Sequence, residues 1–165
     1  MNNISTTTLT MKREFNVKPE RVFDAWLNPL MMKKWFFTLE GTNKVAHNDP
    51  KVGGTWEIVD HRDGMDYRAV GEYLEIDPPK KLVFTFKMPQ FSELKDTITV
   101  ELKEISTGCE MIFTQLIHVA KEENWTKADM EKALGEYKDE SEHGWNLMFM
   151  GLKELVETGS ISYKG

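Results

Sequence analysis

The side chains best suited by type to metal binding or nucleophilic chemistry are four histidines, one cysteine and a knot of aspartates, and their spacing argues against most of that chemistry. His47, His61, His118 and His143 lie far apart in the 165-residue chain. Zinc needs three or four ligands brought together, and no H-x-x-x-H or H-E-x-x-H pair occurs to supply two from one helix. His143 precedes Gly144-Trp145 and could face a cavity mouth; a surface or hydrogen-bonded role is the expectation for all four histidines. Asp60, Asp63 and Asp66 crowd the stretch Asp60-His61-Arg62-Asp63-Gly64-Met65-Asp66. Their spacing of three does not fit a calcium loop, which uses alternate positions and a distant glutamate, so a solvated turn is expected. Cys109 has no second cysteine to pair with and no adjacent histidine or base to activate it. No metal, no cofactor and no catalytic thiol are expected.

Glu57, Arg68, Glu72 and Tyr73 lie on strands with apolar neighbours. Were one to point inward, burial would shift its pKa and make it an acid or base for a bound substrate. Because strand side chains alternate between faces, the same residues could equally point to water. No G-x-G-x-x-G, phosphate loop or G-x-S-x-G is present, so nucleotide binding and serine hydrolysis have no motif behind them.

The largest group of one chemical type is apolar. Trp35, Trp56, Phe84, Phe86, Phe113, Trp145, Met148 and Phe149, with Ile58, Val100 and Leu152, form the candidate ligand-lining set. Large apolar and adaptable side chains of this kind line small-molecule pockets, and they also fill ordinary cores. Energetics separates the two. An empty void of ~300 Å³ would cost roughly 7 kcal/mol, comparable to a domain's whole stability. Such a space is therefore filled by side chains, wetted by polar groups or occupied by a ligand.

The elements that must position these residues follow from periodicity and punctuation. Residues 4–16, with Leu9, Met11 and Phe15 on one face, read as a long first strand. Lys18-Pro19-Glu20 opens a helix with Val22, Phe23, Trp26 and Leu27 as its apolar stripe, and Asn28-Pro29 ends it. Leu30 to Trp35 reads as a second short helix, with Trp35-Phe36-Phe37 clustered at its end. The period then changes to two. A weak strand at 43–48 is followed by Thr55 to Val59, an Asp63-Gly64 hairpin, Met65 to Ile76, Lys81 to Met88, Thr97 to Lys103 and Glu110 to His118. Thr126 and Asp129 suit the capping box of a short helix. A final helix is expected from about Tyr137 to Glu157, ended by Thr158-Gly159. Consecutive strands joined by hairpins give an antiparallel sheet, and segregated helices make the class α+β. The long last helix is the one element large enough to cover the sheet's apolar face.

Length suits a single domain over 1–165, large enough to fold without disulfides or metals. The net charge of −6, with basic residues scattered in pairs such as Lys33-Lys34 and Lys80-Lys81, does not suit nucleic acid. No apolar run is long enough to span a membrane, the first residues lack the features of a signal peptide, and a lone free thiol fits a reducing compartment, so a cytoplasmic location is expected.

An ordered set of residues also carries a resemblance. It comprises Pro19-Glu20-x-Val22-Phe23-x-Ala25-Trp26, Asn28-Pro29, Trp35-Phe36 and Val52-Gly53-Gly54-x-Trp56. It continues with Gly71-x-Tyr73-x-Glu75-Ile76-Asp77-Pro78-Pro79-x-x-Leu82-Val83-Phe84 and then Gly144-Trp145 before an apolar helix. In these the chain resembles the helix-grip superfamily of START domains, plant pathogenesis-related allergens and polyketide cyclases. Within it, the chain looks like the branch related to the C-terminal domain of the heat-shock protein 90 ATPase activators. The resemblance implies a curved antiparallel sheet of about six to seven strands wrapped around the long C-terminal helix, two short helices after the first strand, and an apolar cavity between sheet and helix. Three uses follow, in this order: binding a hydrophobic or aromatic small molecule, which the aromatic set motivates; interacting with a chaperone ATPase in a stress response, which the resemblance implies; or catalysis of the cyclase or dehydratase kind, with Glu57, Arg68, Glu72 or Tyr73 as acid or base. The additional N-terminal domain of the full co-chaperones is not part of the resemblance.

Overall fold

A computed structural model describes residues 3–161. The chain forms β1 (Ile4–Phe15), α1 (Pro19–Leu27), α2 (Pro29–Trp35), β2 (Asn43–Asn48), β3 (Thr55–Arg62), β4 (Met65–Asp77), β5 (Lys81–Phe86), β6 (Asp96–Ile105), β7 (Gly108–Ala120) and α3 (Lys127–Thr158). The seven strands make one antiparallel sheet in the order β1-β7-β6-β5-β4-β3-β2, as the alternation and hairpin signals predict. The first strand thus pairs with the last, Ile4 opposite Ala120 and Phe15 opposite Cys109. This long-range pairing sets the first strand beside the last, and α3 packs against both.

Local chemistry explains the helix ends. Pro19 stands in the first turn of α1, where a missing N–H costs nothing. Asn28 closes α1 and caps α2, its Oδ1 accepting from the Leu30 N–H at 2.9 Å. The expected capping box is present: Asp129 N–H donates to Thr126 Oγ1 at 3.1 Å, and Thr126 N–H donates to Asp129 Oδ2 at 2.9 Å. Gly159, with φ of 92°, ends α3 in the left-handed conformation.

The structure corrects one element. The short helix at Thr126 and the long helix from Tyr137 are one 32-residue helix, about 48 Å long at 1.5 Å per residue. Its two ends are anchored apart, Met130 and Ala133 at one and Trp145, Phe149, Leu152, Leu155 and Val156 at the other, and the charged middle between them is largely exposed. The expected separation before Tyr137 does not occur, because buried anchors on both sides hold the intervening turns in register. Among the described residues no helix is long and apolar enough to cross a membrane.

Candidate functional site

The concave face of the sheet and the inner face of α3 carry the aromatic residues into one cluster. Trp56 and Ile58 come from β3, Phe84 and Phe86 from β5, Val100 from β6, Phe113 from β7, Trp35 from α2, and Trp145, Met148, Phe149 and Leu152 from α3. Phe113, Trp145 and Phe149 meet one another at ring separations of 4.6, 5.2 and 5.5 Å. Trp56 meets Phe84 edge-on at 5.8 Å. Ile58, Val100 and Leu152 are fully buried around these rings, while Phe86 and Met148 are half-buried. All eleven candidate residues therefore fall in or against one cluster.

Three further rings outside that set join the cluster. Trp26 sits at its centre, touching Trp35, Phe36, Phe84, Phe113, Trp145 and Phe149 at 4.7 to 6.5 Å. Phe36 bridges Trp26 to Trp56. Phe37 lies parallel to Phe86 at 4.7 Å and to Trp56 at 6.3 Å. In sequence, Trp26 reads as part of a helix stripe and of the pattern that carries the resemblance, and nothing local aims Phe37 inward. The interior between sheet and helix is thus occupied by rings in contact. A depression of about 370 Å³ among the described residues opens on the surface instead, between β1 and α3, lined by Arg13, Asp139, Glu142, His143 and Asn146. Arg13 donates to Asn146 Oδ1 at 2.8 Å there.

Two glycine and polar details shape the cluster. A Cβ on Gly71 would lie 1.8 Å from the Thr85 carbonyl oxygen and 2.5 Å from Trp56 Nε1. Only glycine lets the Trp56 indole lie across β4 and donate to that carbonyl, at 3.3 Å. Gln115, fully buried on β7, accepts from Trp145 Nε1 at 2.9 Å and donates through Nε2 to Asp96 Oδ2 at 2.8 Å. Asp96 also accepts from the His118 backbone N–H at 3.0 Å. Burial holds the Asp96 carboxyl above its ordinary value despite those donors. Trp26 Nε1 and His118 Nδ1 are the buried side-chain nitrogens left without a hydrogen-bond partner among the described residues.

The candidate acid and base residues do not converge. Glu57 and Arg68 lie on the outer face, paired with each other, and Glu72 is exposed. Tyr73 alone points inward; its hydroxyl accepts from Asn48 Nδ2 at 3.1 Å, and burial pushes its pKa up to about 12. His47, His61 and His143 are exposed and His118 is half-buried. Among the described residues no cluster of metal-ligating side chains forms. Cys109 is buried in β7, and desolvation pushes its thiol up to about 11.

Asp60 overturns the expectation of a solvated turn. It is 3% exposed and accepts from Thr38 Oγ1 at 2.8 Å and from Thr42 Oγ1, with Arg62 Nε at 3.3 Å. Its strand position explains this: with Trp56 and Ile58 it forms the inward-facing set of β3, two residues apart each time. It therefore anchors the connection 36–42 that carries Phe36 and Phe37.

Comparison with known proteins is consistent with this architecture. Residues 16–157 match the family described as Activator of Hsp90 ATPase homolog 1-like protein. A protein of unknown function from Staphylococcus aureus, SA2116, is 32% identical over 94% of this chain and 96% of its own, with a TM-score of 0.88. An uncharacterised Rhizobium leguminosarum protein (19% identity, 93% and 96% coverage, TM-score 0.72) and CV1439 of Chromobacterium violaceum (23%, 91% and 97%, 0.66) share the fold. No curated protein matches the chain.

Proposed function

The chain belongs to the Activator of Hsp90 ATPase homolog 1-like family, and from that premise we propose that it binds an apolar, planar aromatic small molecule carrying a hydrogen-bond acceptor, between the sheet and α3. A fold hosts many functions, so the reading is argued from the interior itself. The observation that carries it is Trp26 Nε1, a buried donor at the centre of the ring cluster that finds no acceptor among the described residues. A buried N–H left unpaired costs about 1–3 kcal/mol. A ligand oxygen placed against it recovers that cost, and aromatic pairing adds about 0.5–1.5 kcal/mol per ring beyond area burial. Since rings already touch in the free protein, the ligand binds by parting side chains, selecting a conformer that the unliganded chain populates less. The lone thiol of Cys109 suits a reducing compartment such as the cytoplasm.

Native mass spectrometry of the purified protein, followed by denaturation, tests the reading. A co-purifying aromatic ketone or phenol is the expected result, and Trp26→Phe should weaken its retention. A clean mass, together with a Trp26 indole resonance unmoved by titration with acetophenone or 2-naphthol, would overturn it.

A second reading, a protein-interaction domain for a chaperone ATPase, draws on the family description and on exposed apolar side chains. Phe91 is 68% and Met65 57% exposed, with Phe91 beside Tyr67. Recovery of an ATPase chaperone in a pull-down that Phe91→Ala abolishes would favour it over ligand binding; failure to recover one would remove it.

A further inference from the structure

We infer that Phe37 is a displaceable stand-in for the ligand: its ring occupies the stacking position that a planar aromatic molecule of one or two rings takes, and the connection 36–42 is the gate. This inference rests on the small-molecule reading and deepens it by naming the subsite.

The rings of the cluster come from strands and helices, except Phe36 and Phe37, which follow α2 on the connection to β2. Phe36 is 2% exposed and wedged among Trp26, Trp35, Trp56, Phe84 and Trp145. Phe37 is only half-buried. It stacks on Phe86 at 4.7 Å with planes 17° apart, runs parallel to Trp56 at 6.3 Å and 5°, and meets Trp145 edge-on at 5.1 Å. Trp56 and Phe86 thus make a flat floor, which exists because Gly71 lets the indole lie down across β4. Trp145 is the wall, and it joins this position to Trp26, whose ring it meets at 6.0 Å.

The ring is held there loosely for so apolar a residue. Phe37 has a φ of 58°, the left-handed region that bulky side chains rarely adopt. Its N–H donates to Met148 Sδ at 3.2 Å, and a thioether is a weak acceptor. The connection itself is latched one and five residues later, by Thr38 and Thr42 on Asp60. Rotation of the Phe37 backbone out of the left-handed region relieves strain, forfeits one weak bond, leaves the Asp60 latch intact, and bares the aromatic floor. A planar ligand then replaces one stacked ring by another.

The test titrates 2-naphthol into uniformly ¹⁵N-labelled wild type, Phe37→Ala and, as a control on an exposed ring elsewhere, Phe91→Ala. The Trp26, Trp56 and Trp145 indole N–H resonances are followed. Removing the competing ring raises the fraction of open protein, so Phe37→Ala is expected to bind at least about tenfold tighter than wild type, with the Trp56 and Trp145 indoles shifting; Phe91→Ala should match wild type. Phe37→Asn, whose side chain suits the left-handed backbone, gives the same answer should the alanine variant not fold. Equal affinities for wild type and the Phe37 variants, whichever indoles shift, would overturn the gate while leaving small-molecule binding in place. No binding to any folded variant would overturn both.

Discussion

Gln115→Met tests whether the buried amide links the aromatic cluster to the sheet. Methionine keeps the length and roughly the volume of the side chain, so packing changes little. Two hydrogen bonds are lost. Trp145 Nε1, now 2.9 Å from the Gln115 oxygen, is left buried without an acceptor, a cost of about 1–3 kcal/mol. Asp96 loses the Nε2 donor at 2.8 Å, and a bond to a charged group contributes about 1.5–3 kcal/mol. Allowing for the apolar surface gained, the expected loss near neutral pH is about 2–5 kcal/mol. The second contribution depends on pH, and its sign follows from linkage. Burial already holds the Asp96 pKa above its ordinary value in the folded protein. Wild-type stability from this group is therefore full at acid pH and is lost as pH rises through the folded pKa. Without the Gln115 donor the folded pKa rises further, so the difference between variant and wild type widens with pH and then levels off. Urea unfolding followed by tryptophan fluorescence, at the acid limit of the folded state and near neutrality, measures both. A loss below about 1 kcal/mol at both pH values would refute the argument that the amide satisfies Trp145. A loss independent of pH would refute its link to Asp96.

Other substitutions probe the remaining supports. Gly71→Ala drives a Cβ into the Thr85 carbonyl at 1.8 Å and displaces the Trp56 indole, with an expected cost of about 3 kcal/mol visible in the melting temperature and in a shifted Trp56 indole resonance. Asp60→Ala removes the shared acceptor of Thr38 and Thr42. It should cost about 2–4 kcal/mol, with faster amide exchange at Thr42 and Asn43 than in the strands; unchanged exchange there would show that the latch is held elsewhere. The Cys109 thiol, buried and pushed up to about 11, should react with a disulfide reagent at neutral pH only at the rate of unfolding, so rapid labelling of the native protein would contradict its placement in β7.

Much of the fold is legible without coordinates because its signals are local. The alternation of Ile98, Val100 and Leu102, or of Met111 and Phe113, identifies a half-buried strand from a few residues, and all five are buried on the inner side. Asp63-Gly64 marks its hairpin, Asn28-Pro29 its helix break and Thr126-Asp129 its cap for the same reason: each operates within four residues. The eleven candidate site residues follow from that periodicity, which says which face a side chain takes.

Periodicity does not say what a side chain meets there. Asp60 looks solvated beside Asp63 and Asp66, yet the phase of β3 turns it inward to a connection some twenty residues earlier. Gln115 finds its partners across the sheet in Asp96 and, thirty residues on, in Trp145. The continuity of α3 past Gly135 depends on anchors at both ends rather than on the propensity of its middle. Sequence by itself determined the elements, their order and the apolar faces, because hydrogen-bond period and turn chemistry are properties of neighbouring residues. Only the tertiary structure decided that Phe37 completes the stack on Trp56 and Phe86 and that the Trp26 N–H finds no acceptor among the described residues. Both depend on how the curvature of the sheet and the pairing of β1 with β7 bring distant residues to within a ring's width.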